Sequence, residues 1–244
     1  MHTLRRTLLK TLALAALPGA SAFAKPSTPA ALGAPPAMPL PGLYADAVDP
    51  TPYLVSEEYD GVRGGWDGGT LRFRSGRVVP APAWFTARLP PEPLDGELWL
   101  GRGRFDELSG LVRKDVLVDA QWRQVRYMVF ELPGAEGAFE ARARRIAEIA
   151  GQTAWAQLVA VEHTPVADRA DLRRRLATTL ARGGESLVLH LASAAYSTGR
   201  TDVMLKLKPS LDTEAIVVAH QPGQGKYEGM LGRSKCARRR AATS

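Results

Sequence analysis

Ser56-Glu57-Glu58-Tyr59-Asp60-Gly61-Val62-Arg63 sets two acids and an aromatic ring directly before an Asp-Gly pair and a basic residue. An Asp-Gly pair is by itself a turn signal, because Asp bonds the backbone two residues on and Gly tolerates positive φ. A second pair stands in Leu94-Asp95-Gly96-Glu97-Leu98-Trp99. Three further patterned segments follow: Tyr127-Met128-Val129-Phe130-Glu131, Gly184-Glu185-Ser186-Leu187-Val188-Leu189-His190 and Leu205-Lys206-Leu207-Lys208-Pro209. Each alone has a bland explanation. Arg63, Glu97 and Glu185 fit surface charges, and Phe130 fits a core aromatic. Lys206 and Lys208 fit alternate positions on an exposed edge strand.

Around these segments, short alternating runs dominate. Residues 124–130, 157–161, 186–191 and 215–219 are rich in Val, Leu and aromatics, are bounded by Gly, Pro or Glu, and predict strands. Phe139, Ala143, Ile146, Ile149 and Ala150 recur at helical spacing before Gly151, and Leu172, Leu176 and Leu180 recur every four residues before Gly183-Gly184. These predict two amphipathic helices, with Arg142, Arg144, Arg145 and Arg173 to Arg175 on solvated faces. No internal repeat occurs. The order of elements is mixed rather than strictly alternating, which favours an α+β fold with antiparallel sheets over a doubly wound parallel one.

Composition narrows the chemistry. The chain has 244 residues, 45% of them hydrophobic and 23% charged, as expected of a globular enzyme rather than a disordered or collagen-like chain. One cysteine, Cys236, makes no internal disulfide or Cys-rich zinc site, and His2, His163, His190 and His220 lack ligand spacing. Gly101-Arg102-Gly103 lacks the third Gly of a dinucleotide fingerprint. Gly225-Lys226 is followed by Tyr227, and His220 stands where a phosphate-binding loop needs its first Gly. No nucleophile elbow or zinc-protease motif occurs.

The net charge of +7 belongs to the ends. Arg5, Arg6 and Lys10 lie in 1–24, and Arg233, Lys235, Arg238, Arg239 and Arg240 in 233–244, with no acids in either segment; the remainder carries 24 basic against 25 acidic residues. Nucleic-acid binding therefore has to rest on local patches. Residues 1–24 combine a basic start, a short apolar run and Ala22-Phe23-Ala24, which reads as a signal peptide, twin-arginine-like at Arg5-Arg6 or of the general secretory type. A periplasmic location follows as an expectation, without a membrane anchor, since the apolar run is short for a bilayer. Residues 25–42 read as a Pro/Ala-rich linker, with folding expected from Leu43, and 233–244 as a basic disordered tail.

Taken in order, the five segments resemble the nucleotidyltransferase motifs of ATP-dependent DNA ligases, closest to the minimal exported bacterial ones. The likeness extends through Ala83-Trp84-Phe85-Thr86, Gly101-Arg102-Gly103-Arg104-Phe105 and Tyr196-Ser197-Thr198-Gly199-Arg200. It implies an ATP-grasp-like adenylation domain over 43–209 and the start of an OB-fold over 210–232. It also implies a monomer that uses ATP and Mg²⁺ and acts on nicked double-stranded DNA. The family adenylates itself on a lysine, passes AMP to the 5′-phosphate of a nick, and seals it. By resemblance Arg63 and Glu97 would hold the ribose, with Asp60 and Gly61 framing the motif. Phe130 would stack on adenine, Glu185 would hold the metal, and Lys206 and Lys208 would face the triphosphate.

Four departures qualify the resemblance. The nucleophile position holds Glu58, and a carboxylate cannot form the family's phosphoramidate; self-adenylation is expected to fail. Glu131 stands where the family has Asp. Ser186 replaces a Gly, which costs on the order of 1 kcal/mol if the position needs positive φ. The 35 residues after Pro209 are fewer than the roughly 60 a five-stranded barrel needs, which suggests a truncated second domain. The same residues leave two alternatives open: a non-catalytic nucleotide- or DNA-binding protein, and another nucleotidyltransferase such as an RNA ligase or capping enzyme.

Overall fold

The computed structural model describes residues 37–209, 215–222, 224–225 and 228–238. The expected signal peptide, most of the expected linker and the last residues of the chain lie outside them. Strands β1 (Pro39–Leu43), β2 (Tyr53–Glu57), β8 (Thr164–Pro165), β9 (Leu187–Leu191) and β10 (Gly199–Leu207) form one sheet in the order β1-β10-β9-β2-β8. Strands β3 (Val62–Trp66), β4 (Leu71–Phe73), β5 (Leu94–Trp99), β6 (Arg126–Glu131) and β7 (Leu158–Ala160) form a second, in the order β4-β3-β5-β6-β7. β11 (Ala215–Pro222) and β12 (Leu231–Arg238) pair only with each other.

The helices are α1 (Ala83–Thr86), α2 (Phe105–Leu111), α3 (Asp119–Trp122), α4 (Phe139–Thr153) and α5 (Arg169–Ala181). α4 and α5 are the two predicted from periodicity. The other three span two turns or fewer, too short for an apolar stripe to repeat. Each large sheet carries its own core. Trp66, Leu71, Phe85, Leu94, Leu98, Trp122 and Ile146 are buried in the cluster on the second sheet. Val55, Leu172, Leu187, Leu189 and Leu205 form the cluster on the first.

The fold is α+β, as expected, and seven of its nine strand pairings are antiparallel. The two parallel pairings, β1 with β10 and β6 with β7, lie at sheet edges. The β6–β7 pair has α4 as its connection, the crossover that parallel neighbours need.

Three expectations require correction. Among the described residues a strand, β1, already occupies Pro39–Leu43, ahead of the expected start at Leu43: two prolines hid it, and they are tolerated because β1 is an edge, where missing N–H donors cost least. The basic tail is not structureless from Arg233, since Leu231–Arg238 form β12 against β11 with register shifts that blur its alternation. Arg142 does not face solvent. Its side chain is 1% exposed and donates to both Glu131 carboxylate oxygens at 2.8 and 2.9 Å and to the carbonyls of Gly137 and Ala194. A buried guanidinium persists only when its donors are matched in this way.

Candidate functional site

Strand alternation puts alternate residues on one sheet face, and on β9 and β10 these are Val188 with His190 and Met204 with Lys206. All four line a cavity of about 270 Å³. From the second sheet the same cavity receives Arg63 of β3, Glu97 of β5 and Phe130 of β6. Leu40 and Pro41 of β1 close one side, and Ser56 to Tyr59 at the end of β2 another. The cavity thus lies between the two large sheets; most of its lining comes from strands, with Glu58, Tyr59, Arg74, Val161 and His163 added from the connections beside them.

Arg63 and Glu97 are direct cross-strand partners. The Arg63 guanidinium forks onto Asp95 with bonds of 3.0 and 2.5 Å, and its centre lies 5.2 Å from the Phe130 ring centroid. Burial pulls the guanidinium pKa down, and the hydrogen bonds and charge of Asp95 more than reverse this, so Arg63 stays cationic. Burial pushes the Glu97 carboxyl up to about 8, against the lowering by Arg63. At neutral pH burial therefore favours its protonated, uncharged form. Gly61 is obligatory here: a Cβ would lie 2.2 Å from the Leu98 carbonyl oxygen and 2.7 Å from the Glu97 side chain.

Glu58 follows β2, and its backbone N–H donates to the Ser186 carbonyl at 3.0 Å. Its carboxylate is gripped from two sides. Lys206 Nζ forms an ion pair with one oxygen, and Ser186 Oγ donates to the other. Ser186 is buried and its φ is not positive, so the conditional cost of replacing Gly does not arise. Beside Glu58 a smaller cleft of about 130 Å³ is lined by Asp60, Arg102 and Glu185 among others, with Glu57, Glu58 and Tyr59 shared between the two hollows. Arg102 pairs with Glu57 at 2.6 Å.

Among the described residues no group of three or more His, Cys, Asp or Glu is placed to hold a metal ion. A metal caged by protein ligands does not fit. A hard divalent cation held by Glu185 together with substrate phosphate oxygens does, because Mg²⁺ commonly takes only one or two carboxylates.

Five of the expected site residues, Glu58, Arg63, Glu97, Phe130 and Lys206, meet in the cavity, and Asp60 and Glu185 in the adjoining cleft. Gly61 shapes the wall without lining it. Lys208 is exposed and lines neither hollow. Sequence reasoning missed Arg74, His163 and His190, which also line the cavity. Burial lowers His163 to about 4 and His190 to about 3, the latter further lowered by His163 and Arg142. Both are neutral at physiological pH. The Nδ1 of His163 lies 2.9 Å from the Val161 carbonyl, which can only accept, so that nitrogen carries the proton. Apolar patterning around these histidines gave no sign that they would share a cavity wall.

No family model matches the chain. A DNA ligase of Haemophilus influenzae is 33% identical over 188 residues, covering 77% of this chain and 69% of that protein. A probable DNA ligase of Streptomyces coelicolor is 31% identical over 205 residues, covering 72% of this chain but only 39% of its own longer sequence. Among solved structures, one from a structure–function study of Lig E DNA ligases superposes with a TM-score of 0.72 at 35% identity, covering 83% of this chain and 80% of its own. The ATP-dependent DNA ligase of bacteriophage T7, in complex with ATP, shares the fold at a TM-score of 0.58 and 17% identity, covering 82% and 80%.

Proposed function

The chain belongs to the ATP-dependent DNA ligase family, and on that premise we propose that it is a nick-sealing scaffold whose first step, self-adenylation, is disabled at Glu58. The observation that carries this reading is the setting of Glu58. It lines the cavity with Arg63, Glu97 and Phe130, it is tied to Lys206 and Ser186, and the order of the motifs supports reading its position as that of the nucleophile.

A lysine there would attack the α-phosphate of ATP through its neutral amine and expel pyrophosphate, leaving AMP on a P–N bond. A carboxylate has no nitrogen to supply, and its charge opposes the approach of the triphosphate. The binding half of the pocket is intact in this reading. Phe130 offers a flat apolar face to a base, Arg63 is fixed by its fork to Asp95, and protonated Glu97 can donate to a sugar hydroxyl. Lys206 supplies positive charge for phosphates only once it leaves Glu58, and Lys208, which lines neither hollow, contributes at most from outside them. Mg²⁺ shared by Glu185 and a substrate phosphate would spread the charge developing on the phosphate oxygens.

Sealing of a nick that already carries AMP needs no lysine nucleophile. The 3′-hydroxyl attacks the 5′-phosphorus and AMP leaves. Nicked duplex DNA is therefore the proposed partner and the pre-adenylated nick the proposed substrate, and the sequence of 1–24 supports a periplasmic setting. Incubation with pre-adenylated and plain nicked duplex, each with ATP and Mg²⁺, tests the reading. Joining of the first and not of the second is expected. An untouched pre-adenylated nick at high protein concentration would refute retained sealing, and joining of the plain nick would refute the disabled first step.

A further inference from the structure

We propose that the cavity selects a nucleoside with a free 5′-hydroxyl over the corresponding nucleoside triphosphate. The inference rests on the reading of this cavity as the family's adenine-nucleotide pocket and names what that pocket takes in this chain. Three observations carry it.

The end of the cavity formed by Phe130, Arg63 and Glu97 keeps what an uncharged base and sugar require: an aromatic face, a guanidinium held in place by its fork onto Asp95, and a protonated carboxyl. The opposite end is spent on internal pairing. Lys206 is neutralised by Glu58, whose second oxygen takes the Ser186 hydroxyl, and Arg102 is neutralised by Glu57. The adjoining cleft, into which phosphates would extend beyond Glu58, is lined by Glu57, Glu58, Asp60 and Glu185 against the single guanidinium of Arg102. Arg74 is the one cation of the main lining outside these pairs among the described residues. A triphosphate would have to break the Glu58–Lys206 pair and then bring its own negative charge against four carboxylates. A 5′-hydroxyl asks for neither, and it can hydrogen-bond to the Glu58 carboxylate as a neutral donor.

The test is calorimetric titration of the full chain and of Glu58→Gln with adenosine and with ATP, at neutral pH, with and without Mg²⁺. Wild type is expected to bind adenosine about tenfold or more tightly than ATP. In Glu58→Gln, which keeps the shape and releases Lys206, the ratio of ATP affinity to adenosine affinity is expected to rise about tenfold or more, because the charge opposing the triphosphate is gone and the 5′-hydroxyl loses a charge-assisted acceptor. ATP binding as tightly as adenosine to wild type would overturn the inference and leave the nucleotide-pocket reading in place. Selectivity unchanged in Glu58→Gln would overturn the role given to Glu58. Binding of neither compound to either protein would overturn both the inference and the pocket reading. The wild-type comparison stands alone should the variant fail to fold.

Discussion

At the scale of single residues, two carboxyls that line one cavity stand in different settings. Glu58 is held by a cation and a hydroxyl, whereas Glu97 is pushed by burial to about 8 from an ordinary 4.5. Between those two values the folded chain holds a proton at Glu97 that the unfolded chain releases. Glu97 therefore lowers stability progressively as pH rises through that window, with its full cost reached above about pH 8. Glu97→Gln is expected to flatten this dependence: its melting temperature should fall less than that of wild type between about pH 6 and about pH 9. Equal falls would show that Glu97 is not the group responsible. The identities of Glu58, Arg63, Glu97, Phe130 and Lys206 were legible because they sit in ordered motifs. The ion pair of Glu58 with Lys206 was not, since the two are 148 positions apart and neither segment announces the other.

Among the elements, strands 124–130, 157–161 and 186–191 were readable to within about two residues because apolar alternation needs only a few positions. β1 and β12 were hidden by prolines and by basic residues, since pairing supplied by a neighbouring strand can override local composition. The same limit explains Arg142. On α4 it looks like one of three surface arginines, but it is the one turned inward, onto Glu131 of β6. Losing it would leave the Glu131 carboxylate with only the Leu132 N–H as donor and take the donor from the Gly137 and Ala194 carbonyls. Arg142→Ala is expected to destabilise the chain by about 3–5 kcal/mol, read from urea unfolding, while Arg144→Ala on the exposed face should change it by about 0.5 kcal/mol or less. A small loss in Arg142→Ala would mean that the buried pair does not tie α4 to the sheet.

For the whole molecule, the arrangement of two five-stranded sheets with a cavity between them is what brings residues as distant in sequence as Ser56, Phe130 and Lys206 onto the walls of one hollow. Periodicity alone gave the α+β class, and the order of motifs gave the family; neither could place His163, His190 or Arg74 on the wall. The positive charge concentrated at the two ends of the sequence leaves the region between them near neutrality. Attraction for DNA thus depends on where basic residues gather rather than on the total. In the proposed reading one side chain, Glu58, decides whether the scaffold can charge itself with AMP. Covalent labelling with α-labelled ATP and Mg²⁺, comparing wild type with Glu58→Lys, measures this directly. Label on Glu58→Lys and none on wild type is the predicted result; label on the wild-type chain would mean that another residue serves as nucleophile and would contradict the assignment of position 58.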